Sequence, residues 1–266
     1  MSLSTIAVKQ TAKTALKKKY FEGVAVSALY IFAYLVCATG YTFLSSVTGP
    51  ITAFFFLICY FTLLITPLTL GFVYYSVRLV FGSDTAPLLL FKYFSSGKEY
   101  ERALLFSLPL TGNALYSGVL LFLPAFVVNM ISNGTVFRIF GAETPLWASD
   151  LWAIYLPLKL FAGFCFIIVM LKYYLAPFLI AADESMEPLE AMHKSKVISS
   201  ASKKDFIWLV LSFTWYILAC LLLIPNIFIF PYFSSAYCVH CRFAVAAYNK
   251  NADRINQKDV ASFEVI

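Results

Sequence analysis

A chain of 266 residues that is 61% hydrophobic and only 13% charged has about half the ~25% charge of an ordinary soluble domain, which excludes a soluble globular protein. The net charge of +6 does not point to nucleic acid, because the basic residues sit beside apolar tracts, where topology signals belong. From Gly23 to Val77 no Asp, Glu, Lys or Arg occurs over 55 residues, roughly 80 Å of helix against the ~30 Å of a bilayer core.

One crossing cannot use that length; two joined by a turn can. Uncharged tracts return at Ala103–Phe137 and Phe206–Cys241, and Leu151–Leu171 is broken only by Lys159. These tracts are too continuous for the alternating strands of an outer-membrane barrel. Backbone groups in lipid must be satisfied internally, which calls for helices. The expected fold class is therefore all-α: a polytopic membrane protein with six transmembrane helices in three helical hairpins, plus cytoplasmic amphipathic helices.

Residues 5–19 carry Val8, Ala12, Ala15 and Leu16 at helical spacing beside a Lys9, Lys13, Lys17 stripe. This predicts an amphipathic helix able to lie on an anionic leaflet, or a solvated basic start that sets orientation. Lys17-Lys18-Lys19 before an apolar run imitates a signal peptide, but the run outlasts a signal core and reads as an uncleaved first span, 23–45. Ser45–Pro50 makes a turn into a second span, 52–78, which Pro67 and Gly71 are expected to bend. Residues 82–98 form a polar break. Ser96-Gly97-Lys98-Glu99 has capping-box spacing and starts the third span, 102–131.

Ser132–Asp150 is a loop, followed by an aromatic belt of Trp147, Trp152 and Tyr155 and a fourth span, 156–180. Residues 183–202 read as an amphipathic helix with Ser185 as cap and Pro188 in its first turn. Ser202-Lys203-Lys204-Asp205 looks like another capping box, opening a fifth span, 206–224. A sixth span, 227–248, leads into a polar, loosely ordered tail from Asn249. The domain reading is a cytoplasmic basic amphipathic segment at 1–20, a six-helix transmembrane domain at 21–248 and a cytoplasmic tail at 249–266.

Six spans put both termini on one side. Eighteen of the twenty Lys and Arg fall on the termini, the 78–102 and 183–205 connections or the helix ends beside them, Arg138 and Lys159 being the exceptions. The positive-inside rule then makes the termini cytoplasmic, in a multi-pass protein of the plasma membrane.

Few constellations suggest chemistry. Cys238-Val239-His240-Cys241 has the spacing of a metal or redox pair, but no second Cys/His pair accompanies it and helix packing is the preferred reading. Lys159, a charge inside an apolar tract, raises a functional question by default; beside Pro157 and the aromatic belt it can snorkel to the outer interface. Asn113 is placed to hydrogen-bond across helices or line a cavity. On the cytoplasmic side, Arg78, Lys172 and Arg242 stand at returning-helix ends as candidates for a lipid phosphate, with Asp183, Glu184 and Tyr174 as polar partners. No HExxH, P-loop, GxSxG or dinucleotide fingerprint is present. Neither an enzyme, a metal nor a cofactor is expected.

Four stretches carry a resemblance: Val8–Lys17, Leu90–Tyr100, Tyr174–Asp183 followed by Pro188-Leu189-Glu190-Ala191 and Ser195, and Phe213-Thr214-Trp215 leading to Pro231-Tyr232 and Ala247-Tyr248. Together they resemble a family of bacterial six-helix integral membrane proteins of unknown function, common in Gram-positive species. That family is similar to membrane domains attached to some glycerophosphodiester phosphodiesterases, whose separate catalytic domain has no counterpart here. The resemblance implies the fold more than any activity. The expected function is a non-enzymatic membrane protein that binds lipid or is accessory to an envelope membrane complex. The alternative is a small transporter or channel for a hydrophobic or lipid-like substrate. Partners expected are the lipid bilayer, anionic lipids at the cytoplasmic face, and a homo-oligomer or membrane-complex partner, with no nucleic acid.

Overall fold

The computed structural model describes residues 5–17, 19–82, 85–141, 143, 145–213 and 223–263. Every regular element among them is helical. Four helical stretches are long and apolar enough to cross a membrane: Tyr20–Val47, Thr52–Phe81, Gly97–Ser132 and Trp152–Ala182. They coincide with the first four expected spans, each extended by a few residues. The chain forms two compact units, Met1–Leu108 with Tyr173–Ile266, and Pro109–Lys172.

In the first unit, α1 (Thr5–Leu16) buries Val8, Ala12 and Leu16 on one face. That face does not lie on a leaflet: it is docked against α10 (Leu223–Phe263) and α4 (Thr66–Phe81). Val8 and Ala12 pack with Leu209, Phe213, Ala236 and Val239. The fit follows from size. Ala12 and Ala236 are both fully buried, so the helices come close, and each buried aliphatic side chain contributes about 1.5–3 kcal/mol.

The second expected span is three pieces: α3 (Pro50–Tyr60), a π turn at Phe61–Ile65, and α4. Pro67 is the cause. It has no N–H to offer the Leu63 carbonyl, and Tyr100 Oη donates to that carbonyl instead, at 3.1 Å. Thr66 donates both its amide and its hydroxyl back to Phe61 O. We expect Tyr100→Phe to cost about 1 kcal/mol in detergent unfolding, and Pro67→Ala to remove most of that cost by restoring a backbone donor. Additive losses in the double variant would contradict this pairing.

Gly71 admits a neighbour: a Cβ there would stand 2.8 Å from the Leu90 carbonyl carbon and closer to its oxygen. The neighbour is a 3₁₀ segment, Pro87–Phe94, opened by Pro87 in its first turn. Leu90 and Tyr93, on either side of a kink at Phe91, are both buried. Leu90 joins Leu16, Val26, Leu68, Phe72, Tyr75 and Leu79 in the core of this unit. The capping box at Ser96 is present in its forward half, with the Glu99 amide donating to Ser96 Oγ at 3.3 Å, and α5 (Gly97–Ser132) begins there.

The second unit takes the chain from Pro109 in α5 through α6 (Thr135–Ile139) and a 3₁₀ turn at Leu146–Leu151 into α7 (Trp152–Met170). Its helices meet through Phe122 and Phe166, edge to face at 6.3 Å. Trp152 and Tyr155 stack at 5.1 Å.

Beyond a 3₁₀ turn at Leu171–Tyr173, α8 (Ala176–Ala182) returns to the first unit. Three expectations change here. Ser185 is not the cap of the next helix, since its amide and hydroxyl both donate to Asp183 Oδ1, and α9 (Pro188–Leu211) starts at Pro188. No new helix starts at Ser202. Its hydroxyl bonds Ile198 O inside α9, which runs unbroken through Lys203, Lys204 and Asp205. The tail expected from Asn249 is helical, as α10 continues to Phe263.

The expected fifth span, 206–224, falls partly outside the described residues, and the sixth, 227–248, lies within α10. Phe213 meets Tyr232 and Phe233 with ring centroids 5.2 and 5.3 Å apart. This contact lies at a charged end: Lys9 donates to Ser212 O at 2.8 Å, and Pro231 packs beside Gly23, just after Lys19 and Glu22.

Candidate functional site

The densest polar cluster is built on α4. Tyr74 and Arg78 stand four residues apart and share a helix face. The close approach at Gly71 lays the 3₁₀ segment alongside, which carries Lys92 to within 4.0 Å of the Tyr74 ring centre. The chain turns out of α8 at Asp183 in an extended conformation and delivers Glu184 to the same place. Glu184 Oε1 accepts hydrogen bonds from Lys92 Nζ at 2.6 Å, Tyr74 Oη at 2.7 Å and Arg78 Nη2 at 3.2 Å. Arg78 Nε and Nη2 donate in turn to Tyr74 Oη, at 3.1 and 2.8 Å.

The Lys92 ammonium first, and the Tyr74 hydroxyl next, hold the Glu184 carboxyl down at about 2 from an ordinary 4.5, against the opposing effect of burial. Lys92 is the enclosed partner, with a side chain 15% exposed, whereas Glu184 is 49% exposed. Beside this node, Arg102 Nη2 donates to the carbonyls of Asp183 and Met186 at 2.8 and 2.9 Å. A cation thus meets carbonyls that the end of α8 leaves open. The Asp183 carboxylate is turned to Ser185, whose hydroxyl and amide hold its pKa below the ordinary value.

Of the residues singled out from the sequence, Arg78 and Glu184 come together. Tyr174 goes elsewhere: its ring stacks on Phe206 at 4.1 Å, and its hydroxyl lies 2.7 Å from Ser202 Oγ and 3.1 Å from His240 Nε2. Either hydroxyl of the Tyr174–Ser202 pair can donate, Ser202 Oγ also reaches Ile198 O at 3.0 Å, and the role of His240 follows its tautomer. Tyr237 Oη donates to the Tyr174 carbonyl at 2.6 Å. Cys238 and Cys241 are buried free thiols in the same wall. No group of three or more His, Cys, Asp or Glu able to hold a metal ion occurs among the described residues.

Arg242 lies over the Phe81 ring at 4.4 Å, and Lys172 is the last residue of the second unit. Of the three cations expected to seat a phosphate, Arg78 bonds the Glu184 carboxylate. In the second unit the Asn113 amide donates to Pro109 O of its own helix at 2.8 Å, and the Lys159 ammonium sits 5.6 Å from the Tyr155 ring centre. Sequence reasoning missed Tyr74, Lys92 and Arg102. The i, i+4 spacing of Tyr74 and Arg78 was the available signal; Lys92 depends on the packing at Gly71.

A family model described as "Protein of unknown function (DUF975)" matches residues 1–244. No curated protein and no solved structure matches the chain.

Proposed function

Because this chain belongs to the DUF975 family of proteins of unknown function, we propose a function from its own geometry: a non-enzymatic integral protein of the bacterial cell membrane that binds lipid or serves an envelope membrane complex. In this reading α2 (Tyr20–Val47), α3 with α4, α5, and α7 with α8 cross the bilayer. The expected fifth and sixth spans, 206–224 and 227–248, complete three hairpins in this reading. Both termini and the connections at 82–98 and 183–205 are cytoplasmic, following the placement of the basic residues.

One contrast carries the proposal. The long helices expose large apolar side chains such as Phe32, Phe43, Phe55, Leu160 and Phe164, as suits a lipid neighbourhood. The ionic node at their ends is half exposed but satisfied within the chain: the Glu184 carboxylate already has three donors. A carboxylate held so far below neutrality fastens helix ends and is poorly matched to proton transfer.

The test is to purify the full chain in native-lipid particles and identify co-purifying lipids and proteins by mass spectrometry. An enriched anionic phospholipid or a stoichiometric protein partner is expected. Bulk lipid with no partner would contradict the proposal, and so would solute flux into liposomes containing this chain alone.

A further inference from the structure

Between the α1–α2 elbow and α10 the first unit has an open groove of about 740 Å³. Its basic wall is Lys13, Lys17 and Lys19, and its apolar wall includes Phe21, Phe228 and Ile229. The groove follows from how α1 docks. Val8, Ala12 and Leu16 face the protein, so Lys13 and Lys17, one position on from Ala12 and Leu16, turn along the flank that overlooks the groove. The far wall is fixed by Tyr20 Oη, which donates to Phe228 O at 3.1 Å. Phe21 is 85% exposed and Phe228 49% exposed, leaving an apolar strip open beside the lysines.

From this juxtaposition we infer that the groove is a binding site for one anionic phospholipid. Its phosphate meets Lys13, Lys17 and Lys19, and an acyl chain runs along Phe21, Phe228 and Ile229. Charge decides the headgroup. Three ammonium groups face one carboxylate, Glu22, and that carboxylate accepts a hydrogen bond from the Thr85 hydroxyl at 2.6 Å. Lys13 and Lys17 make no ion pair among the described residues. No side chain caps the first turn of α2, and Tyr20, Phe21 and Glu22 of that turn line the same groove, adding the positive end of a 28-residue helix. Depth decides the rest. The lysines lie just before the uncharged run that starts at Gly23, the level at which juxtamembrane lysines attract anionic headgroups. A zwitterionic headgroup would bring its own cation into a basic wall.

The inference rests on the lipid-binding reading above, and its test separates the two. Full-length protein in detergent is titrated with dioleoyl phosphatidylglycerol or dioleoyl phosphatidylcholine and followed by native mass spectrometry. The chains compared are wild type, Lys13→Gln with Lys17→Gln, and Arg242→Gln; unchanged thermal midpoints check folding. One phosphatidylglycerol per chain is expected, held roughly tenfold or more weakly in the double variant, unaffected by Arg242→Gln and not displaced by soluble glycerol phosphate. Undiminished binding in the double variant overturns the groove. If binding then depends on Arg242, lipid binding stands and this site falls. Equal binding of both lipids by wild type overturns the anionic site and leaves lipid binding standing, and displacement by glycerol phosphate overturns the lipid as occupant.

Discussion

Gly71→Ala is expected to destabilise the first unit by about 3 kcal/mol or more, at the upper end of what overpacking costs. The added methyl meets a backbone carbonyl, that of Leu90, and cannot be relieved by turning a side chain. The 3₁₀ segment must back away from α4. That movement loosens Leu90 and Tyr93 from the core and draws Lys92 off the Tyr74 ring, so one methyl group disturbs both packing and the ionic node. Denaturant unfolding of the detergent-solubilised protein measures it. Gly97→Ala, where a Cβ meets nothing within 4 Å, is the control and should change stability little.

Glu184→Gln is expected to cost about 1–2 kcal/mol. Breaking a fully buried pair costs about 3–5 kcal/mol, but Glu184 is half exposed and solvent screens part of that. The loss falls mainly on Lys92, left enclosed without a carboxylate. Adding Lys92→Met to Glu184→Gln should therefore recover part of the stability, whereas Arg78→Gln, removing a half-exposed partner, should recover little. The pH dependence has a definite sign. Glu184 titrates at about 2 in the folded protein against an ordinary 4.5, so its contribution is complete above about 4.5 and fades as pH falls toward 2. Wild type and Glu184→Gln should differ at neutral pH and converge over that acid window; a constant gap down to pH 2 would contradict the node.

Much of the fold was legible because bilayer thickness imposes a length on apolar runs. Gly23–Val77 had room for two helices and a turn, and α2, α3 and α4 fill it. Capping signals were less dependable. Ser96 caps α5 because Pro87 and the 3₁₀ turn end just before it, whereas Ser202 has the same local pattern inside an uninterrupted helix. Local spacing cannot register the packing of Ile198 and Leu209, on either side of Ser202, that keeps α9 continuous.

The site was half legible. Arg78 and Glu184 stood out as charges beside membrane tracts, but their meeting needs the close approach of Leu90 to Gly71, a tertiary fact with no signature beyond a glycine. Tyr174 was grouped with them by position in the chain; the turn at Leu171–Tyr173 instead directs it to Ser202 and His240. The amphipathic pattern of α1 identified an apolar stripe and left open what covers it. Leu209, Phe213, Ala236 and Val239 cover it, and that docking also leaves Lys13 and Lys17 overlooking the groove.

The proposed topology puts the basic helix ends on the cytoplasmic side of the membrane. Two-sided reporter fusions after residues 48, 95, 140 and 187 test it most directly. Fusions at 95 and 187 are predicted to report the cytoplasm, and those at 48 and 140 the outside. Finding 140 and 187 on the same side of the membrane would contradict it.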